Sequence, residues 1–269
     1  MNHDQHMNQL RNAARAFLEV LQTTRALADK IPGFENIRVG TIGGLAVGHY
    51  IANRTTYVRS FPLQKSAPTD LGKKDIDIVI SSPAEPKHVV DILKKEYPEV
   101  FIKRADIFFM EFEGRSIQVD LIPPEVLPYT PSGLIPIGLV NLPFLPYVGI
   151  LNTLVSKAYC CGARASKQKN EQDAKDVIDL IDKLTGDRRP ISVTPCQGAI
   201  IWKGLEYIAK HGNRSQGWVA RWFNVQALLS QTASKLKVFG SRDEDENFEK
   251  ALKLQVLKEF LCPKSLHIT

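Results

Sequence analysis

The chain has 269 residues, 43% of them hydrophobic and 24% charged, with a net charge of +6 and a pI near 9.1. This is the composition of an ordinary soluble globular protein, long enough for one large domain or two modest ones. No apolar run approaches the roughly 18–20 residues of a membrane span, and the polar start Met1–His6 lacks the apolar core of a signal peptide.

The mild basicity is compatible with a polyanionic partner such as a nucleotide or RNA but does not decide for one. Cys160, Cys161, Cys196 and Cys262 lack zinc-ligand spacing, and an adjacent Cys-Cys pair is a poor disulfide framework. They read as reduced thiols in a cytosolic or nuclear compartment. The histidines are scattered without an i,i+4 pair, which argues against a histidine metal site.

Taken in order, residues 5–30 predict a helix with Leu10, Ala13, Ala14, Phe17, Leu18, Leu21 and Ala26 at three- and four-residue spacing, stopped near Ile31-Pro32-Gly33. A short strand over 37–42 runs through Gly43-Gly44 into a helix over 45–52. Glycines at such a turn bring backbone N–H groups at a helix N-terminus close to a neighbour, which can serve as an anion cradle or simply as a turn. Residues 53–74 have no periodicity and carry Arg54, Arg59, Lys65, Lys73 and Lys74, which marks a long loop.

The loop leads into Asp75-Ile76-Asp77-Ile78-Val79-Ile80. In a strand, residues two apart share a face, so Asp75 and Asp77 stand side by side. A helix follows over 85–97. Two strands over 106–112 and 116–122 then form a hairpin around Glu113-Gly114. Asp120 lies within the second of these, an acid in an apolar run that must be paired or metal-bound where it is buried.

Seven prolines between Pro123 and Pro146 exclude a regular helix and predict an extended linker. Helices follow over 149–162 and 173–184, the latter with Val177, Leu180, Ile181 and Leu184 on one face. Residues 194–260 read as further helices containing Trp202, Trp218 and Trp222, whose rings can be core or a base-stacking surface.

The ordered set Gly43-Gly44, Asp75-Ile76-Asp77 and Asp120 resembles the nucleotidyltransferase superfamily with the DNA-polymerase-β palm. Lys157 in its helix and Asp173-Ala174-Lys175-Asp176-Val177-Ile178-Asp179-Leu180 resemble segments of the bacterial abortive-infection type nucleotidyltransferases, which include toxins of toxin–antitoxin pairs. The resemblance covers about residues 37–185. It departs from the family in the long gap before Asp75 and in Gly43-Gly44 where Gly-Ser is common.

The element order predicts an α+β fold, a mixed β-sheet with flanking helices over 1–122, a Pro-rich linker over 123–148 and a helical domain over 149–269. The resemblance implies that the sheet is of the nucleotidyltransferase type. It implies that Asp75, Asp77 and Asp120 are catalytic and bind Mg²⁺ or Mn²⁺. Gly43, Gly44, Lys157 and Asp176 would contact the nucleotide. The implied activity is transfer of an NMP from an NTP to a hydroxyl of RNA, protein or a small molecule. The alternative is a non-catalytic nucleotide- or RNA-binding protein that retains the fold.

Overall fold

Apolar residues at alternate positions of the strands, and at three- and four-residue spacing in the helices, dictate a sheet with helices against one face. The computed structural model describes residues 3–52, 54, 75–186 and 189–223. The expected loop 53–74, apart from Arg54, and the helices expected beyond residue 223 lie outside these. The chain divides into two compact units, Met1–Thr153 and Leu154–Thr269.

The first unit opens with α1 (His3–Thr23) and α2 (Arg25–Lys30), two helices where the spacing predicts one. The break is Thr24, whose extended backbone interrupts the ladder and whose buried hydroxyl donates to the Val20 carbonyl. Then come β1 (Arg38–Thr41), α3 (Gly43–Tyr50), β2 (Asp75–Ser81) and α4 (Pro86–Glu96). They are followed by β3 (Phe101–Arg104), β4 (Ile107–Phe112), β5 (Arg115–Ile122) and β6 (Ile135–Pro136).

The fold is α+β: one mixed six-stranded sheet in the order β3-β4-β5-β2-β1-β6. Only β2 and β5 pair in parallel among these strands; β1–β2, β1–β6, β3–β4 and β4–β5 are antiparallel. A parallel neighbour requires a long crossover, which α4, β3 and β4 supply. The expected hairpin is β4–β5, turning at Glu113 and Gly114, both with positive φ.

Period-two alternation sorts the sheet's faces. Ile76, Ile78, Ile80, Ile117 and Val119 point into a core closed by Leu10, Ala14, Phe17, Leu18 and Leu21 of α1 and by Val89 and Leu93 of α4. On the other face Val79 packs with Ile42, Leu134 and Val148. Asp75 and Asp77, in step with Val79, therefore share this second face.

Residues 123–148, expected as a linker, belong to the first unit. Ile135 and Pro136 pair with Val39 and Arg38, and Leu134, Ile137, Val140 and Leu145 are buried. The prolines prevent a helix but permit an edge strand, where a missing N–H costs no ladder bond.

The second unit contains α5 (Ile150–Cys160), which begins in the first, then α6 (Lys167–Leu184), α7 (Pro195–Gly212) and α8 (Gln216–Trp222). Helix α6 starts six residues before the apolar periodicity does, because the Ser166 hydroxyl caps it by accepting from the Lys169 N–H. Thr194 and Gln197 form a capping box on α7.

Phe17 is fully buried and meets Phe101 and Phe108 edge to face at 6.0 and 6.3 Å between ring centroids. Phe17→Ala should lower unfolding free energy by about 3–5 kcal/mol, measured by denaturant titration. A loss below about 1 kcal/mol would contradict this ring cluster as a main support of the sheet.

Candidate metal centre

The first unit places three of the expected residues together. The parallel register sets Asp77 directly opposite Asp120, and Asp75 opposite Gln118. Carboxylate oxygens of Asp75, Asp77 and Asp120, one from each, lie within 4.8 Å of one another, and all three residues are half-buried. Side chains opposite each other across paired strands necessarily project from the same face, so the register itself gathers the acids.

Strand β1 then carries the glycine turn onto this cluster. The Ile42 N–H donates to the Asp77 carbonyl at 3.0 Å, which ties the turn to β2. Gly43 opens α3 with φ +66°, and a Cβ built there would overlap the Asp77 carboxylate. Both the left-handed backbone and the close approach require glycine. The positive end of α3 thus lies against a carboxylate, a favourable arrangement for the negative charge.

Gly44 is held differently. Arg54 is buried, and its Nη1 donates to the Gly44 carbonyl at 3.1 Å, with a Cβ on Gly44 falling 3.3 Å from that nitrogen. Gln118 completes the cluster: its Nε2 donates to Asp120 Oδ1 at 2.9 Å and Oδ2 at 3.1 Å. Sequence reasoning missed both residues. Gln118 was recoverable in principle, since it stands two positions before Asp120 and must share its face.

An all-oxygen, all-carboxylate donor set suits a hard divalent cation such as Mg²⁺, Mn²⁺ or Ca²⁺, and offers nothing to a thiolate- or imidazole-seeking metal. The residues present fit such an ion. A magnesium ion keeps several waters and takes one or two carboxylates from the protein, leaving positions for an outside oxygen ligand.

Lys157 and Asp176, expected at the nucleotide, lie together in the second unit. Lys157 Nζ is 2.6 Å from Asp173 Oδ1 and 3.2 Å from Asp176 Oδ2, and all three residues are buried. Arg164 Nε donates to Asp173 Oδ2 at 3.2 Å, and Gln172 Nε2 to Asp176 Oδ1 at 2.8 Å. This is a connected ionic network joining α5 to α6. Beside it, burial and then the Asp173 charge push the Cys161 thiol up to about 12, so this cysteine supplies no thiolate nucleophile near neutral pH.

No protein-family model and no curated protein matches the chain. Among solved structures, it is similar to an antigenic nucleotidyltransferase-like protein from Paracoccidioides brasiliensis at 15% identity. That match covers 76% of this chain and 88% of the other, with a TM-score of 0.47. The functional reading rests on the site's own geometry.

Two substitutions test these placements. Gly43→Ala forces a side chain into left-handed backbone and against Asp77, and should cost about 1–3 kcal/mol of stability. It should also weaken any stabilisation by Mn²⁺, and an unchanged Mn²⁺ thermal shift would contradict the close packing. Lys157→Ala removes the buried cation that lies against both Asp173 and Asp176 and should cost about 3–5 kcal/mol, read by thermal unfolding; a fully stable variant would contradict the network.

Proposed function

We propose that the protein is a nucleotidyltransferase dependent on a divalent cation, moving an NMP from an NTP to a hydroxyl acceptor. The observation that carries this reading is the gathering of Asp75, Asp77 and Asp120 on one sheet face, with the Gly43 turn packed against Asp77. Three half-buried carboxylates in one place repel each other, and a divalent cation offsets that repulsion. A polyphosphate would offer such an ion further oxygen ligands.

In this reading Asp75, Asp77 and Asp120 would hold Mg²⁺ or Mn²⁺. The ion, when bound, neutralises charge developing on the pyrophosphate leaving group and on the attacking oxygen. The chain's own groups do the rest. The Gly43-Gly44 turn presents backbone N–H groups at the start of α3, which would favour a phosphate oxygen. Gln118 fixes the rotamer of Asp120, which accepts the proton of the acceptor hydroxyl or orients it. Arg54 anchors the first turn of α3 through Gly44.

Of the segments resembling the abortive-infection branch, Lys157, Asp173 and Asp176 are engaged in the buried network. The acidic triad, rather than those segments, therefore supports the reading.

Incubation with α-labelled NTPs, Mg²⁺ and total RNA or protein acceptors tests it. Asp77→Asn should reduce label transfer by about 10²–10³-fold, the scale of losing a principal electrostatic stabiliser. Transfer that persists unchanged in the folded variant would overturn the mechanism. Stabilisation by NTP with no turnover under any condition would instead favour a binding protein.

A further inference from the structure

The net positive charge is not spread evenly along the chain. Residues 154–223 hold twelve Lys and Arg against seven Asp and Glu, whereas residues 1–153 hold sixteen of each. Within the basic stretch, α8 and the turn before it carry an alternating series of planar groups. The Arg214 guanidinium lies 4.9 Å from the Trp218 ring, and Arg221 lies 5.9 Å from Trp218 and 4.8 Å from Trp222. The two indoles meet edge to face at 6.4 Å.

This ladder is held in place from beneath. Val219 and Phe223 are buried, and the Ile191 N–H donates to the Trp222 carbonyl at 2.7 Å. At the other end the Ser215 hydroxyl accepts from the Trp218 N–H at 3.0 Å. Asn213 adopts left-handed backbone, and the Arg214 N–H closes back on the Ala209 carbonyl. Arg214 and Arg221 are exposed while Trp218 and Trp222 are half-buried. The helix thus presents cations and ring faces from a fixed backbone.

We propose that α8 is a docking surface for single-stranded RNA. Indole faces stack unpaired bases regardless of sequence, and guanidinium groups both stack and pair with phosphate. An exposed cation–π contact is weaker than a base–aromatic stack, so an incoming base displaces a guanidinium, which turns to the adjacent phosphate. A folded acidic protein offers the charge but no splayed rings, and would leave the indoles without a use. The inference concerns binding alone and does not depend on nucleotidyl transfer.

The test is fluorescence anisotropy of a labelled oligouridylate with the full chain, together with intrinsic tryptophan emission, without NTP or metal. Saturable binding should quench tryptophan emission and weaken steeply as salt rises. Trp218→Ala and Arg221→Ala, each shown to be folded by circular dichroism, should bind about tenfold more weakly or worse. Trp218→Phe, which keeps a ring, should stay within about threefold of the parent.

Asp77→Asn should bind RNA normally, which separates this inference from the catalytic one. The proposal is overturned if no binding occurs at low salt, or if folded Trp218→Ala binds like the parent. It is also overturned if inorganic polyphosphate binds and quenches equally well, since charge alone would then suffice.

Discussion

Asp77 and Asp120 face each other across a parallel strand pair, in register, in the interior of a mixed sheet. Everything else at the site follows from that pairing. With Asp75 included, carboxylate oxygens stand within 4.8 Å. At that separation each pair of full charges repels by roughly 1 to 3.5 kcal/mol for effective dielectrics between water and a protein surface. A protein that gathers such charges must offset the repulsion. Here the positive end of α3 approaches Asp77 and the Gln118 amide binds both oxygens of Asp120. Under the proposed reading, a divalent cation provides the larger part.

The framework explains how the acids stay in place. The face of the sheet behind them is a dry core built by α1 and α4, in which Ile76, Ile78, Val119 and Phe17 are almost wholly excluded from solvent. A register slip of one residue would exchange that apolar set with the acids, burying charge and exposing isoleucines. The two faces therefore enforce the register, and the register enforces the cluster. Gly43 adds a local condition, because only a residue without a Cβ lets the start of α3 come against Asp77.

Legibility in the sequence followed the range of each interaction. The common face of Asp75 and Asp77 was readable because strand periodicity is local, and the Gly43-Gly44 turn was readable from the glycines themselves. The coincidence of Asp120 with Asp77 was legible only through the family resemblance, because strand register between residues so far apart is set by tertiary packing. Strand β3 escaped notice because it is four residues long and half of it is Lys103 and Arg104. Strand β6 was hidden among prolines. Gln118, Arg54 and the Lys157–Asp173–Asp176 network depend on partners that the chain brings together only when folded, so no short motif announces them.

Under the proposed reading, the acidic triad holds a metal–nucleotide complex. The most direct measurement is the thermal unfolding of the full chain with each of the four NTPs, with and without Mg²⁺, beside the same series on Asp120→Asn. The account predicts a rise in melting temperature that requires nucleotide and metal together and disappears in the variant. Nucleotide stabilisation of equal size without metal, or in Asp120→Asn, would contradict it.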